Sequence, residues 1–117
     1  MIVTIQLRQQ GERPAFQQQA EAALRVLAVR PGYLRGAVAR ATDDPQAWLL
    51  LTEWESVGAY RRALGGYEVK LTATPLMAAA LDQPSAFEEL LVLEADGAER
   101  RSESDRARDA DWVDRRD

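Results

Sequence analysis

The chain contains no cysteine and no histidine. Without cysteine there can be no disulfide, iron–sulfur cluster, thiolate zinc site or thiol nucleophile. Without histidine the usual haem ligand, the commonest zinc ligand and the side chain best suited to move protons near neutral pH are gone as well. No metal and no cofactor are expected. Any catalysis must then run on carboxylates, Tyr, Trp, Arg, Ser or Thr, or on the substrate's own reactivity. Also missing is a run of ~18 apolar residues, so no membrane span is expected. The opening MIVTIQLRQQ lacks the apolar stretch and small-residue cleavage site of a signal peptide, which makes the expected location cytoplasmic. Nor is there a basic cluster: residues 1–93 hold ten acids and nine bases, and residues 94–117 nine acids and six bases. A nucleic-acid partner would need a positive face, and none is expected.

What is present suffices for one small fold. A chain of 117 residues is a single domain. A domain this short often completes its burial by pairing with a second copy. Residues 2–8 alternate, with Val3, Ile5 and Leu7 on one face, and predict a strand. From Pro14 to about Val29, Phe16, Ala20, Ala23, Leu24 and Leu27 recur at helical spacing until Pro31-Gly32. Residues 33–42 and 47–55 predict two further strands, joined through Asp43-Asp44-Pro45 as an antiparallel hairpin. Ser56 is a plausible N-cap for a helix through Leu64. A second helical stretch, 67–81, should be broken at Pro75. Residues 86–93 predict a last strand. The order β-α-β-β-α-(α)-β is the split ferredoxin-like arrangement of an α+β fold with an antiparallel sheet.

The strand at 47–55 is apolar on both faces. Trp48, Leu50, Thr52 and Trp54 share one; Leu49, Leu51, Glu53 and Glu55 share the other. Helices can cover one face only, so the sequence predicts a second sheet, from a partner subunit, on the other. Residues 94–117 carry 15 charges in 24 positions and predict a solvated tail, in which Trp112 and Val113 are the groups able to dock. The expected division is a domain over 1–93 and a charged tail over 94–117.

PGYLRG at 31–36, WLLLTEWESVGAYRRAL at 48–64, YEVK at 67–70 and PSAFEEL at 84–90 resemble the antibiotic biosynthesis monooxygenase-like family. The resemblance covers about residues 1–93. It implies a homodimeric α/β barrel in which two sheets pack face to face and each protomer has a cavity between its sheet and its helices. It also implies cofactor-independent oxidation of an aromatic or polyketide-like small molecule. The haem-degrading branch relies on a histidine that this chain does not have. Trp54 matches the family's strand Trp, and Tyr60 follows six residues on, as in active members; both are the candidate catalytic residues. Such members carry an Asn four residues before the Trp, where this chain has Leu50. That departure leaves open a non-catalytic small-molecule-binding or accessory protein on the same dimeric barrel.

Trp48, Leu50, Tyr67 and Tyr33 complete the candidate substrate-binding set. Each candidate has a plain reading beside the functional one. A Trp on a half-buried strand is often core, although its indole N–H then needs a partner. Tyr60 shares a helix face with Val57 and Leu64, so it too can be packing. Tyr33 and Tyr67 follow glycines and can simply anchor element ends. Arg35, read on the side of Tyr33, is placed either within the sheet-to-sheet interface or to pair with Glu53 or Glu55 across the hairpin. An enclosed pocket above ~300 Å³ beside Trp54 would favour ligand binding over packing.

Overall fold

The computed structural model describes residues 1–102. A four-stranded antiparallel sheet is built from β1 (Ile2–Arg8), β2 (Tyr33–Arg40), β3 (Ala47–Trp54) and β4 (Ala86–Phe87), in the order β2-β3-β1-β4. Helices α1 (Arg13–Ala28), α2 (Val57–Ala63), α3 (Tyr67–Thr72) and α4 (Thr74–Met77) complete the body, and β5 (Leu91–Leu93) pairs with β6 (Glu99–Arg101) as a separate ribbon. The α+β fold and its antiparallel sheet are as expected. Pro75 does interrupt the second helical stretch, standing in the first turn of α4, where a missing N–H costs nothing.

Registry explains the core. On the inner face, β1 sets Val3, Ile5 and Leu7 opposite Thr52, Leu50 and Trp48 of β3. All six are buried, and α1 lays Phe16, Ala20, Ala23 and Leu27 over them. Fully burying a side chain of Leu or Phe size stabilises by roughly 1.5–3 kcal/mol, so this layer dominates the stability. The outer face carries Thr4, Leu49, Leu51 and Ala37, all only partly buried.

Two expectations are corrected. β2 slips register between Tyr33 and Arg35, a bulge that moves Arg35 to the outer face, away from Tyr33. There Arg35 is ion-paired with Glu53. Residues 86–93 are not one strand. β4 pairs Phe87 with Ile2 and Ala86 with Val3, and β1 begins at Ile2, so the chain runs past the end of its neighbour after two residues. Leu91–Leu93 pairs instead with Glu99–Arg101, inside the segment expected to be tail, around a turn in which Gly97 takes φ +93°. Trp112 and Val113 lie outside the described residues.

Candidate functional site

β3 ends at Trp54, and two local devices bring aromatic rings onto it. At the end of α1, Gly32 turns the chain with φ +91°, and a Cβ there would stand 2.5 Å from the Cβ of Ala59. Only glycine meets both conditions. Its carbonyl accepts the Glu55 N–H at 2.8 Å, so the loop is tied to the strand end and Tyr33 begins β2 beside Trp54. On the other side the Ser56 hydroxyl accepts the Ala59 N–H at 3.0 Å and caps α2, whose buried side is Ala59, Tyr60 and Ala63.

The result is an aromatic trio. Trp54 is fully buried, with Tyr33 edge-on at 5.5 Å between centroids and Tyr60 tilted at 5.6 Å. The indole N–H donates to Thr52 Oγ1 at 2.8 Å. Thr52 is the one polar residue in the buried core of the described chain. Burial pushes the Tyr60 phenol above its ordinary range, because the anion would lose its solvation. Tyr60 is therefore neutral at physiological pH and can act as a hydrogen-bond donor, not as a base.

The remaining candidates are spread more widely. Leu50 is buried on the same face and offers no polar atom. Trp48 lies at the far end of β3, ~20 Å along a strand of this spacing. It packs edge-on against Phe16 at 5.3 Å, donates its N–H to Gln9 Oε1 at 3.2 Å and sits beneath the Arg40 guanidinium at 5.7 Å. Tyr67 is 72% exposed at the start of α3, outside the cluster. The structure thus groups Tyr33, Trp54 and Tyr60, sets Leu50 in the core four residues back along β3, between Ile5 and Val38, and leaves Trp48 and Tyr67 apart. Thr52, which holds the indole N–H, is not among the sequence candidates. A threonine two residues before a buried strand Trp shares its face and is the nearest hydroxyl for the indole N–H, which was the available signal.

A half-open pocket of about 220 Å³ lies beside Trp54, where β1 begins and β3 ends. Leu34, Glu55, Ser56, Val57, Val92 and Arg100 are among its walls. It is smaller and more open than the enclosed cavity expected. No group of acidic side chains among the described residues could hold a metal ion, and no helix among them is long and apolar enough to cross a membrane.

Comparison with known proteins bears on this geometry. Residues 1–74 match the family described as antibiotic biosynthesis monooxygenase. Among solved structures, the chain is similar to SnoaB, a cofactor-independent oxygenase from Streptomyces nogalater, at 25% identity and TM-score 0.56, covering 68% of this chain and 81% of that one. It is similar in fold to Rv0793 from Mycobacterium tuberculosis (15% identity, TM-score 0.57, 73% and 86% covered). A conserved protein from Methanosarcina mazei shares the fold at 18% identity and TM-score 0.51, with 73% and 84% covered. No curated protein matches the chain in sequence.

Proposed function

The chain belongs to the antibiotic biosynthesis monooxygenase family, and from that premise we propose that it is a homodimeric, cofactor-independent monooxygenase of an aromatic, polyketide-like small molecule. The observation that carries this reading is the Tyr33–Trp54–Tyr60 trio, closed by the Thr52 hydroxyl, in a core that is otherwise apolar. The similarity to SnoaB, itself a cofactor-independent oxygenase, supports it.

The chemistry asks little of the protein. A substrate with an acidic C–H beside a phenol or ketone loses a proton to give a delocalised anion. The released proton passes to solvent, the anion passes one electron to O₂, and the radical pair combines to a peroxide anion that takes a proton back to become the hydroperoxide. Loss of water then leaves a new carbonyl, so one oxygen atom enters the product and the other leaves as water, with no external reductant. Trp54 and Tyr33 would supply flat apolar contact. Neutral Tyr60 would donate a hydrogen bond to the oxyanion or peroxide in a water-poor setting, where such a bond is worth most.

The second subunit would cover the outer face of the sheet. Leu49 and Leu51 project there beside Thr4 and Ala37, and Arg35 and Glu53 neutralise one another at its margin. Light scattering of wild type and Leu51→Asp tests this: a dimer that dissociates on substitution is expected, and a wild-type monomer at high concentration refutes it.

Oxygen uptake with a panel of anthrones and quinols tests the activity. Turnover by wild type, reduced at least tenfold in Trp54→Phe or Tyr60→Phe, is the expected outcome. A second reading, a non-catalytic binding protein, is favoured by Leu50 and by the close packing around Trp54. Tight binding of the same compounds with no oxygen consumed would establish it instead.

A further inference from the structure

Hydrogen-bond capacity around Trp54 is unevenly spent. The indole has one N–H and no acceptor, and that N–H is committed to Thr52 Oγ1. Trp54 therefore cannot serve a ligand oxygen without abandoning a buried bond. A threonine hydroxyl can accept and donate at once. Thr52 accepts from Trp54, and its own proton has no acceptor among the described residues. The hydroxyls of Tyr33 and Tyr60 make no hydrogen bond among the described residues either. Of these, the Thr52 hydroxyl lies in the buried core, where unused capacity carries a desolvation cost that a packed core has no reason to keep.

The neighbour opposite Thr52 supplies the second observation. Its cross-strand partner on β2 is Gly36. A Cβ at that position would fall 2.6 Å from Leu24 Cδ1, 2.7 Å from Tyr33 Oη and 2.8 Å from the Leu51 carbonyl oxygen. Facing Thr52, then, are no fixed side-chain stem but the movable ends of a leucine and a tyrosine. Tyr33 is only partly buried, on the edge strand β2, so the cluster reaches the surface on that side.

We propose that Thr52 is the anchor for a phenolic or carbonyl oxygen of the ligand, with Tyr33 swinging from over Gly36 to admit the ring that carries it. Trp54 is then the wall and the group that orients the Thr52 hydroxyl. This rests on the proposed function for the class of ligand and adds the residue that selects an oxygenated ring over a bare one.

The test is a tryptophan-fluorescence titration of the full chain with 1,8-dihydroxyanthrone and with anthracene, a ring of similar size with no oxygen. Thr52→Val keeps the shape and removes the hydroxyl; Thr52→Ser keeps the hydroxyl. The expected result is that Thr52→Val binds dihydroxyanthrone about tenfold more weakly, the size of one lost hydrogen bond. Its affinity for anthracene should be unchanged, and Thr52→Ser should match wild type. Equal binding of dihydroxyanthrone by wild type and Thr52→Val overturns the anchor and leaves the proposed function standing. Loss of affinity for both rings alike also overturns it, because that marks general loosening. Failure of wild type to bind either ring or consume oxygen overturns both readings. Should Thr52→Val not fold, Thr52→Ser decides: affinities like wild type support the anchor, and selective loss of dihydroxyanthrone despite the retained hydroxyl overturns it.

Discussion

The two ends of β3 begin from nearly the same sequence signal and finish as different environments. Each carries a buried Trp on the inner face, each ring meets another aromatic edge-on, and each indole N–H has found a side-chain oxygen. At the Trp48 end the oxygen belongs to Gln9, the ring neighbour is Phe16, and Arg40 lies over the face. Those groups satisfy one another and leave little to do. At the Trp54 end the neighbours are two tyrosines and a threonine, and hydroxyl capacity is left over. Burial and ring contact alone therefore do not mark a site.

The sharpest way to break this contrast is by truncation. Trp54→Ala removes a side chain with no exposed surface and strands the Thr52 hydroxyl, and should cost about 3–5 kcal/mol in urea denaturation. Trp48→Ala should cost less, because that ring is 6% exposed and its partners Gln9 and Arg40 lie where water can replace it. Equal losses would mean that the two ends are alike energetically. A second comparison uses two glycines of similar conformation. Gly11, after β1 near the Trp48 end, has φ +72° and open space around its missing Cβ. Gly11→Ala should cost only the left-handed backbone penalty, about 1–2 kcal/mol. Gly32→Ala meets that penalty and the Ala59 Cβ as well, so thermal melts should place it lower by about 1–3 kcal/mol more. Smaller again is Ser56→Ala, which uncaps the helix carrying Tyr60 and should cost about 1 kcal/mol.

Much of this was readable in the chain, and the misses have physical causes. Alternation placed Trp48, Leu50, Thr52 and Trp54 on one face because a strand's side-chain period is rigid. The bulge after Tyr33 was not readable, since one extra residue in a ladder leaves no trace in composition, and it reversed the side on which Arg35 was expected. The last strand failed for a reason external to its own residues: AFEELLVL has apolar content enough for eight positions, but β1 offers only Ile2 and Val3 as partners there. Charge hid β6, because Glu99–Arg101 reads as tail until Leu91–Leu93 pairs with it. Of the aromatic cluster, Trp54 and Tyr33 were legible as aromatics at strand ends and Tyr60 as a helix aromatic six residues after Trp54. Thr52 was legible only as a residue on the face of Trp54, its bond to the indole being a matter of the fold, and the shared face of Trp48 does not bring it near Trp54, six residues along the strand.

The smallest effect separates the ends by pH. Burial raises the Tyr60 pKa above its ordinary value of 10.0, so in the folded chain the phenol stays protonated to higher pH than in the unfolded chain. Below pH ~10 both states hold the proton and Tyr60 contributes no pH dependence. Above it the unfolded state releases a proton that the folded state retains, and stability falls as pH rises toward the folded pKa. Tyr60→Phe removes that proton and should flatten the decline above pH ~10, read as the denaturation midpoint against pH. Trp48→Phe has no ionisable group to remove and should leave the slope as in wild type. A Tyr60→Phe slope identical to wild type would mean that the phenol is solvated in the folded chain. The Trp54 end would then be wet, and the argument that a hydrogen bond there is worth more than in water would fail with it.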